Sequence, residues 1–297
     1  MRLSLLTLLI LVGCADFQFN LAVNSTAAVL ERGAKSLNRE ADVALARAAL
    51  PGTMKTIDSF LCAAPEQPVF LELTGQAYAQ YAFGFLEDDL EAMGDSDTPE
   101  RRELVARATA LYDRARDIGF RMVVLSDADF VKEYGDRATR DKALKEQTVA
   151  AGRGLYWAGF AEVAAININR TDMDRVAELD AATQLLERAH ELVPDYFNHG
   201  PALALAVRYA QAAPYGDPER AQKLFEEVRS ATGGKFLMAE VFYARFYATA
   251  VQDRALFEAT LKKVLETPAS VMPEERLANE LAHRRAARYL KLAEDLF

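Results

Sequence analysis

The feature that most constrains the fold is a helical spacing of apolar residues that runs along almost the whole chain. Alternating strand patterns are nearly absent, and the chain is rich in Ala, Leu, Glu and Arg, which favour helices. Helix starts are visible at "DTPE" (97–100) and "GDPER" (216–220), where a capping side chain precedes a proline at the first helical position. The sequence therefore predicts an all-α protein.

Small and large residues recur in a fixed register within several of these helices. A small residue at i, a large one at i+4, a small one at i+7 and a proline five residues later are typical of the second helix of a tetratricopeptide (TPR) repeat. In the clearest case these positions hold Ala182, Leu186, Ala189 and Pro194. The segments that fit the register are 53–65, 182–194 and 221–233. They predict a TPR-like α-solenoid of antiparallel helix pairs, with a generic helical array as the alternative.

One stretch has a weaker helical pattern than the rest. Residues 119–135, "GFRMVVLSDADFVKEYG", are interpreted as a long connection with one short helix. No linker rich in Gly, Ser or Pro accompanies this stretch. We therefore predict a single TPR-like domain over residues 14–297, preceded by a signal peptide at residues 1–13.

The opening run "MRLSLLTLLILVGC" is too short to cross a membrane, which takes about 20 apolar residues. Arg2, the apolar residues 3–12 and Gly13 are typical of a secretory signal. The ending "LVGC" resembles the bacterial lipobox, which implies cleavage before Cys14 and acylation of that cysteine. An ordinary signal peptide with a chance cysteine is the alternative. We expect a lipid-anchored protein on the periplasmic side of a bacterial membrane, with Ala15 slightly favouring the outer membrane.

Charge and the scarcity of reactive side chains limit the possible functions. The net charge of −9 argues against nucleic acid as a partner. Beyond Cys14 there is one cysteine, Cys62, which we interpret as a small buried apolar residue. The three histidines lack metal-ligand spacing, and the sequence has neither a phosphate loop nor a nucleophile elbow. We therefore predict no enzyme, no metal and no cofactor; catalysis by the carboxylates of residues 87–89 is the weakest alternative.

Aromatic residues gather at helical spacing in three places, around residues 78–85, 156–160 and 236–247. Such stripes usually form the core between helices. Helical arrays also bind ligands on their concave faces, so the same rings are candidates for the lining of an apolar groove or tunnel. The residues alone leave both interpretations open.

The chain resembles the T component associated with TRAP transporters, the lipoprotein family TatT. The most specific matches are "GDPERA", "GGKFLMAEVFYAR" and "QDRALFE" followed by "LANELA", and the resemblance covers nearly the whole chain. It implies a homotrimeric TPR-like lipoprotein that docks a periplasmic substrate-binding P component. A small apolar or carboxylate ligand would lie in a pore or cleft within each subunit. The chain departs from the family at "HGP" and "YGDP", where the family has "GG", so we expect those turns to differ in shape.

The resemblance also implies which side chains line this pore or cleft. The matched positions are aromatic: Tyr78, Tyr81, Phe85, Tyr156, Trp157, Phe160, Phe242, Tyr243 and Phe246. The polar residues Asn167, Asp253 and Asn279 are expected to cap and cross-link helices rather than to contact a ligand. The alternative function is that of a TPR lipoprotein that scaffolds outer-membrane or pilus assembly by binding protein segments in its groove.

Overall fold

The computed structural model describes residues 2–94, 96–211 and 216–297, with side chains from residue 17 onward, and every regular element in these ranges is a helix. The α-helices are α1 Arg2–Asn38, α2 Val43–Ala63, α3 Pro68–Tyr81, α4 Glu87–Met93, α5 Pro99–Val124, α6 Phe130–Gly135, α7 Arg140–Glu146, α8 Val149–Ile168, α9 Met173–Val176, α10 Leu179–Leu192, α11 Tyr196–Tyr209, α12 Pro218–Ala231, α13 Leu237–Phe242, α14 Arg254–Glu266, α15 Arg276–Lys291 and α16 Ala293–Leu296. The predicted all-α fold is confirmed.

Neighbouring long helices pack side by side in the order of the chain. Helix α2 packs on α3, α3 on α5, α5 on α8, α8 on α10, and α10 on α11, and the series continues through α15. The three segments in TPR register fall in α2, α10 and α12, and each of these helices packs on the next helix along the chain. Ala182, Leu186 and Ala189 are all buried, as the register predicts. The helical array is therefore present.

Helix α15 brings the end of the array back to its beginning. Arg285 on α15 donates from Nη2 to the Phe83 carbonyl at 2.6 Å, between residues about 200 positions apart in sequence. Arg288 donates to Asp88 at 2.7 Å, and α15 also contacts α1 and α2. Because the first and last helices meet, the array curls around an internal space between α3, α8, α11, α13 and α15.

Two π-helical segments, Ala82–Leu86 and Tyr243–Ala248, interrupt the α-helical spacing in the wall of this space. The first joins α3 to α4 and the second extends α13. A π-turn is wider than an α-turn, and such segments are frequent at functional sites. The two π-helical segments change which side chains point into the internal space. A periodicity of about 3.6 residues therefore does not predict which side chains face that space in these segments.

The prediction of a connection at 119–135 is wrong for residues 119–124, because α5 continues to Val124. Within the predicted connection, Phe130–Gly135 forms the expected short helix. The reason for the longer α5 is its crossing with α8. A Cβ at Gly119 would lie 2.6 Å from the Ala158 nitrogen, and one at Gly154 would lie 2.7 Å from the Gly119 carbonyl oxygen. The glycines here allow two helix backbones to touch, a packing role that the sequence pattern does not distinguish from helix breaking.

Asp253 and Asn279 have the expected structural roles, whereas Asn167 both links helices and lines the internal space. Asp253 caps α14 by accepting from Leu256 N at 2.9 Å, and Asn167 accepts from Gln211 at 3.2 Å, linking α8 to the end of α11. Asn279 is fully buried, accepts from Leu237 N at 2.8 Å and donates to two carbonyls. The interpretation of Cys62 as buried is wrong: the side chain is exposed, because the adjacent Leu61 occupies the core-facing position of α2.

Candidate functional site

The space enclosed by the array is a cavity of about 630 Å³. Its wall is formed mainly by α3 and its π-helical continuation, α8, α11, α13 with its π-helical continuation, and α15, with further residues from α4, α5 and α16. This volume is within the range typical of small-molecule sites in proteins. The cavity therefore lies where helices from the beginning, middle and end of the chain meet.

A ladder of aromatic rings runs along the cavity wall. The ring centroids are 5.4 Å apart for Phe246 and Phe242, 5.7 Å for Phe242 and Phe83, 6.2 Å for Phe83 and Phe160, and 5.9 Å for Phe160 and Tyr156. The four phenylalanines are half-buried, although they lie in the interior of the array. Their free surface faces the cavity, which makes the ladder an apolar surface suited to an apolar ligand.

The ladder ends at a cluster around Trp157, which is 1% exposed. The indole Nε1 donates to the Tyr196 hydroxyl at 2.9 Å, and that hydroxyl donates to Glu72 at 2.7 Å, which fixes the indole. The Tyr156 hydroxyl lies against Gly200, where a Cβ would come within 2.6 Å of its oxygen. Tyr156 thus places a hydroxyl at this end of the cavity wall, and glycine at position 200 is what gives it room.

The start of α11 has an unusual backbone. Phe197, Asn198 and His199 all have a left-handed conformation, with φ of 53°, 54° and 60°. This conformation is uncommon for residues other than glycine and places the Phe197 ring 4.9 Å from that of Trp157. This left-handed run reaches into "HGP", one of the two turns expected to differ in shape from those of the family, and that difference stays a prediction. The other turn, "YGDP", begins at Tyr215, which lies outside the described residues.

One side of the cavity wall carries charge. The Glu87 carboxylate accepts a hydrogen bond from Tyr112 and lies near the buried guanidinium of Arg285. Burial raises the pKa of Glu87 to about 7, although Arg285 and the hydrogen bond from Tyr112 both act to lower it. Arg285 itself stacks over the Phe83 ring at 4.3 Å. This side of the cavity is therefore polar and includes a carboxyl group that titrates near neutral pH.

Arg245 lies on the second π-helical segment and lines the same cavity. Its guanidinium is 5.7 Å from the Phe246 ring and 5.6 Å from the Tyr289 ring. Within the described part of the chain, no carboxylate lies within salt-bridge distance of it. Arg245 is thus a cation held between two rings at the end of the ladder that lies opposite Tyr156.

The structure brings five of the nine predicted lining residues together and separates the other four from them. The five that line the cavity are Tyr156, Trp157, Phe160, Phe242 and Phe246. The four that pack elsewhere between helices are Tyr78, Tyr81, Phe85 and Tyr243. Tyr78 and Tyr81 lie under arginines of α5, Phe85 lies under Arg47 of α2, and Tyr243 stacks on Tyr247 at 5.0 Å.

Sequence reasoning did not single out Phe83, Glu87 or Arg245 as lining residues. Phe83 belongs to the aromatic group at 78–85, but the family match favoured its neighbours, which pack away from the cavity. No sequence signal distinguished Arg245 from the other arginines of the chain. Only the closure of the array shows that these three side chains share one cavity.

No metal site and no membrane-spanning helix emerges from the described residues. Within residues 2–94, 96–211 and 216–297, no three His, Cys, Asp or Glu side chains are grouped so as to hold a metal ion. In the same ranges no helix combines the length and apolar character needed to cross a membrane. The side chain of Cys14, the predicted acylation site, lies outside the described residues.

These features define a helical-repeat protein that encloses an aromatic cavity. A sequence model of the TRAP transporter T-component family matches residues 39–297, and the chain therefore belongs to that family. It is an accessory component of a TRAP transporter, as the sequence resemblance indicated. An uncharacterized protein of Treponema pallidum (strain Nichols) is 25% identical over 257 residues, which cover 85% of this chain and 79% of that protein.

Proposed function

We infer that the cavity binds a small ligand with a largely apolar body and a carboxylate, and that this binding serves solute uptake by the transporter without catalysis. The observation that carries this inference is the ladder of half-buried aromatic rings that faces the cavity and ends at Arg245. An apolar body is favoured by removal of its surface from water against these rings, at about 25 cal/mol per Å². The cationic end suits an acid group.

The single tryptophan makes ligand binding measurable. Trp157 is the only tryptophan of the chain and lies in the cavity wall, so ligand entry changes its fluorescence. Native mass spectrometry of the detergent-solubilised mature protein should detect a bound organic acid that organic solvent extracts. A protein that carries no ligand, and whose tryptophan emission responds to no hydrophobic acid, would contradict the proposal.

The proposed protein partner is the periplasmic substrate-binding P component of the same transporter, and the proposed assembly is a homotrimer. Family membership supports the association with a TRAP transporter. Sedimentation of the purified protein, alone and mixed with a TRAP substrate-binding P component from the same organism, measures both the oligomer and the complex. Failure to bind that P component, together with recovery of barrel-assembly or pilin proteins in a pull-down, would favour the scaffold function instead.

The proposed location is the periplasmic side of a bacterial membrane, with attachment through acyl chains on Cys14. The support is the lipobox-like ending of the apolar run at residues 9–14. Two or more acyl chains give stable anchoring, whereas one gives marginal binding. Growth with labelled palmitate should label the wild-type protein and leave Cys14→Ser unlabelled and released from the membrane fraction. Equal labelling of both proteins would contradict acylation at this position.

A further inference from the structure

Five arginines line the cavity, and four of them donate hydrogen bonds to acceptors of the protein. Those four are Arg101, Arg170, Arg285 and Arg288. Arg288 has two carboxylate partners, Asp88 and Glu91, and Arg285 has the Phe83 carbonyl with Asp88 at 3.7 Å. Within the described residues, Arg245 donates to no acceptor. Arg245 therefore differs from the other four lining arginines in having its N–H donors free of acceptors in the described ranges, and so able to bind a ligand.

The surroundings of Arg245 hold its guanidinium in place but leave its hydrogen bonds unmade. The faces of Phe246 and Tyr289 attract the cation, and the Tyr289 hydroxyl is itself fixed on Glu91 at 2.8 Å. Ring faces accept no strong hydrogen bond, whereas a guanidinium has five N–H donors in a planar fork that matches a carboxylate. Arg245 is partly buried in this aromatic wall, and a partly buried cation attracts an anion more strongly than a fully exposed cation does.

We propose that Arg245 is the residue that binds the acid group of the ligand, and that the ligand class is apolar monocarboxylic acids. This inference rests on the proposed function of the cavity. The carboxylate lies on the Arg245 fork, and the apolar body lies along Phe246, Phe242 and Phe83 towards Tyr156. The ladder thus sets the orientation of the ligand, with the acid at the α13 end.

The same wall disfavours a second acid group on the ligand. The remaining cations of the cavity already have acceptors of the protein, so a second carboxylate would have to displace one of these. The cavity wall also includes Glu91 and Asp295, whose carboxylates repel an additional negative charge. Arg245, the lining arginine that donates to no acceptor among the described residues, lies beside an apolar ladder and therefore selects a monocarboxylate over a dicarboxylate.

Two probes with the same apolar body test the assignment: 1-pyrenebutyric acid and 1-pyrenebutanol, the alcohol of the same chain length. Energy transfer from Trp157 to pyrene reports binding of either probe to the full mature protein. We expect the acid to bind the wild-type protein about 10- to 100-fold more tightly than the alcohol, the range typical of one hydrogen-bonded charge. Arg245→Met should remove this preference while leaving the affinity for the alcohol unchanged within about twofold.

Further variants keep the test decisive. Arg245→Gln retains polarity without charge and should also lose the preference for the acid over the alcohol. Arg245→Lys should retain most of that preference. The glutamine and lysine variants carry the test if circular dichroism shows that the methionine variant does not fold. Arg137→Met, an exposed arginine outside the cavity wall, is the matched control for the change in net charge and should keep the preference.

The outcomes separate the assignment from the function on which it rests. Equal binding of acid and alcohol by the wild-type protein, or a preference that survives Arg245→Gln, overturns the role of Arg245 and leaves cavity binding intact. If neither probe quenches Trp157, the proposed function fails and the assignment fails with it. A loss of preference in Arg137→Met as well would trace the effect to net charge and overturn the assignment.

Discussion

Replacing Glu87 with glutamine should change how the stability of this protein depends on pH. Glu87 lies in the cavity wall, hydrogen-bonded to Tyr112, and burial raises its pKa from the ordinary 4.5 to about 7. Between these two values the native state holds a proton that the unfolded state has lost. The free energy of unfolding of the wild-type protein therefore falls as pH rises through this window.

The magnitude follows from the two pKa values of Glu87. Within the window a single such group changes the free energy of unfolding by about 1.4 kcal/mol per pH unit. Between pH 5 and pH 8 the wild-type protein should thus lose about 2.5 kcal/mol relative to Glu87→Gln, because glutamine stays neutral throughout. Glutamine also keeps an acceptor oxygen for the Tyr112 hydroxyl, so the comparison isolates the ionisation of the carboxyl group.

Urea denaturation at pH 5, 6, 7 and 8 measures the effect, with the slope against urea checked for constancy. Glu219→Gln, an exposed change in the first turn of α12, is the matched control and should follow the wild-type profile. Parallel profiles for the wild type and Glu87→Gln between pH 5 and pH 8 would refute the reasoning. The same result would show that Glu87 is ionised at little cost in the native cavity wall.

Four other variants test the packing and the cavity. Gly119→Ala places a methyl group against the α8 backbone and should lower the free energy of unfolding, measured by urea denaturation, by about 1–3 kcal/mol. Gly52→Ala is the control: a Cβ at position 52 has no neighbour within 4 Å, so this change should stabilise α2 by about 0.5–1 kcal/mol. Equal effects of the two changes would contradict the close crossing of α5 and α8. Asn279→Ala removes the partner of two buried backbone groups and of the partly buried Lys235 carbonyl, and should lower stability by about 3 kcal/mol. A loss below about 1 kcal/mol would contradict this role. Phe83→Ala should weaken the binding of both pyrene probes about tenfold without changing the preference for the acid, in contrast to Arg245→Met. A loss of affinity confined to the acid would argue against a purely apolar role of Phe83.

Much of the fold was predictable because it depends on local patterns. The caps at Thr98 and Asp217 accept from Arg101 N and Arg220 N as expected, each before a proline. The α10 register, with Ala182 and its partners, is buried because the pattern of small and large side chains repeats with the period of the helix. These features need only a few consecutive residues, so the sequence carries them directly.

Other features escaped prediction because a distant segment determines them. Gly119 looked like the start of a connection, and its role as a contact point for α8 depends on residues about 35 positions later. Tyr78, Tyr81 and Phe85 have the same aromatic character as Phe83, yet only Phe83 faces the cavity. The π-turn at 82–86 changes the direction of successive side chains, and a pattern with a fixed helical period misassigns them.

By itself, the sequence determined the helical class, the repeat register, the caps and the family, since each depends on residue types at short spacing. The tertiary structure alone decided which rings form the ladder, that Glu87 titrates near neutrality, and that Arg245 donates to no acceptor among the described residues. Each of these properties arises from the return of α15 to the first helices, which brings together residues up to about 200 positions apart. Burial and charge pairing at such a site depend on the whole surrounding wall, which no local stretch of the chain contains.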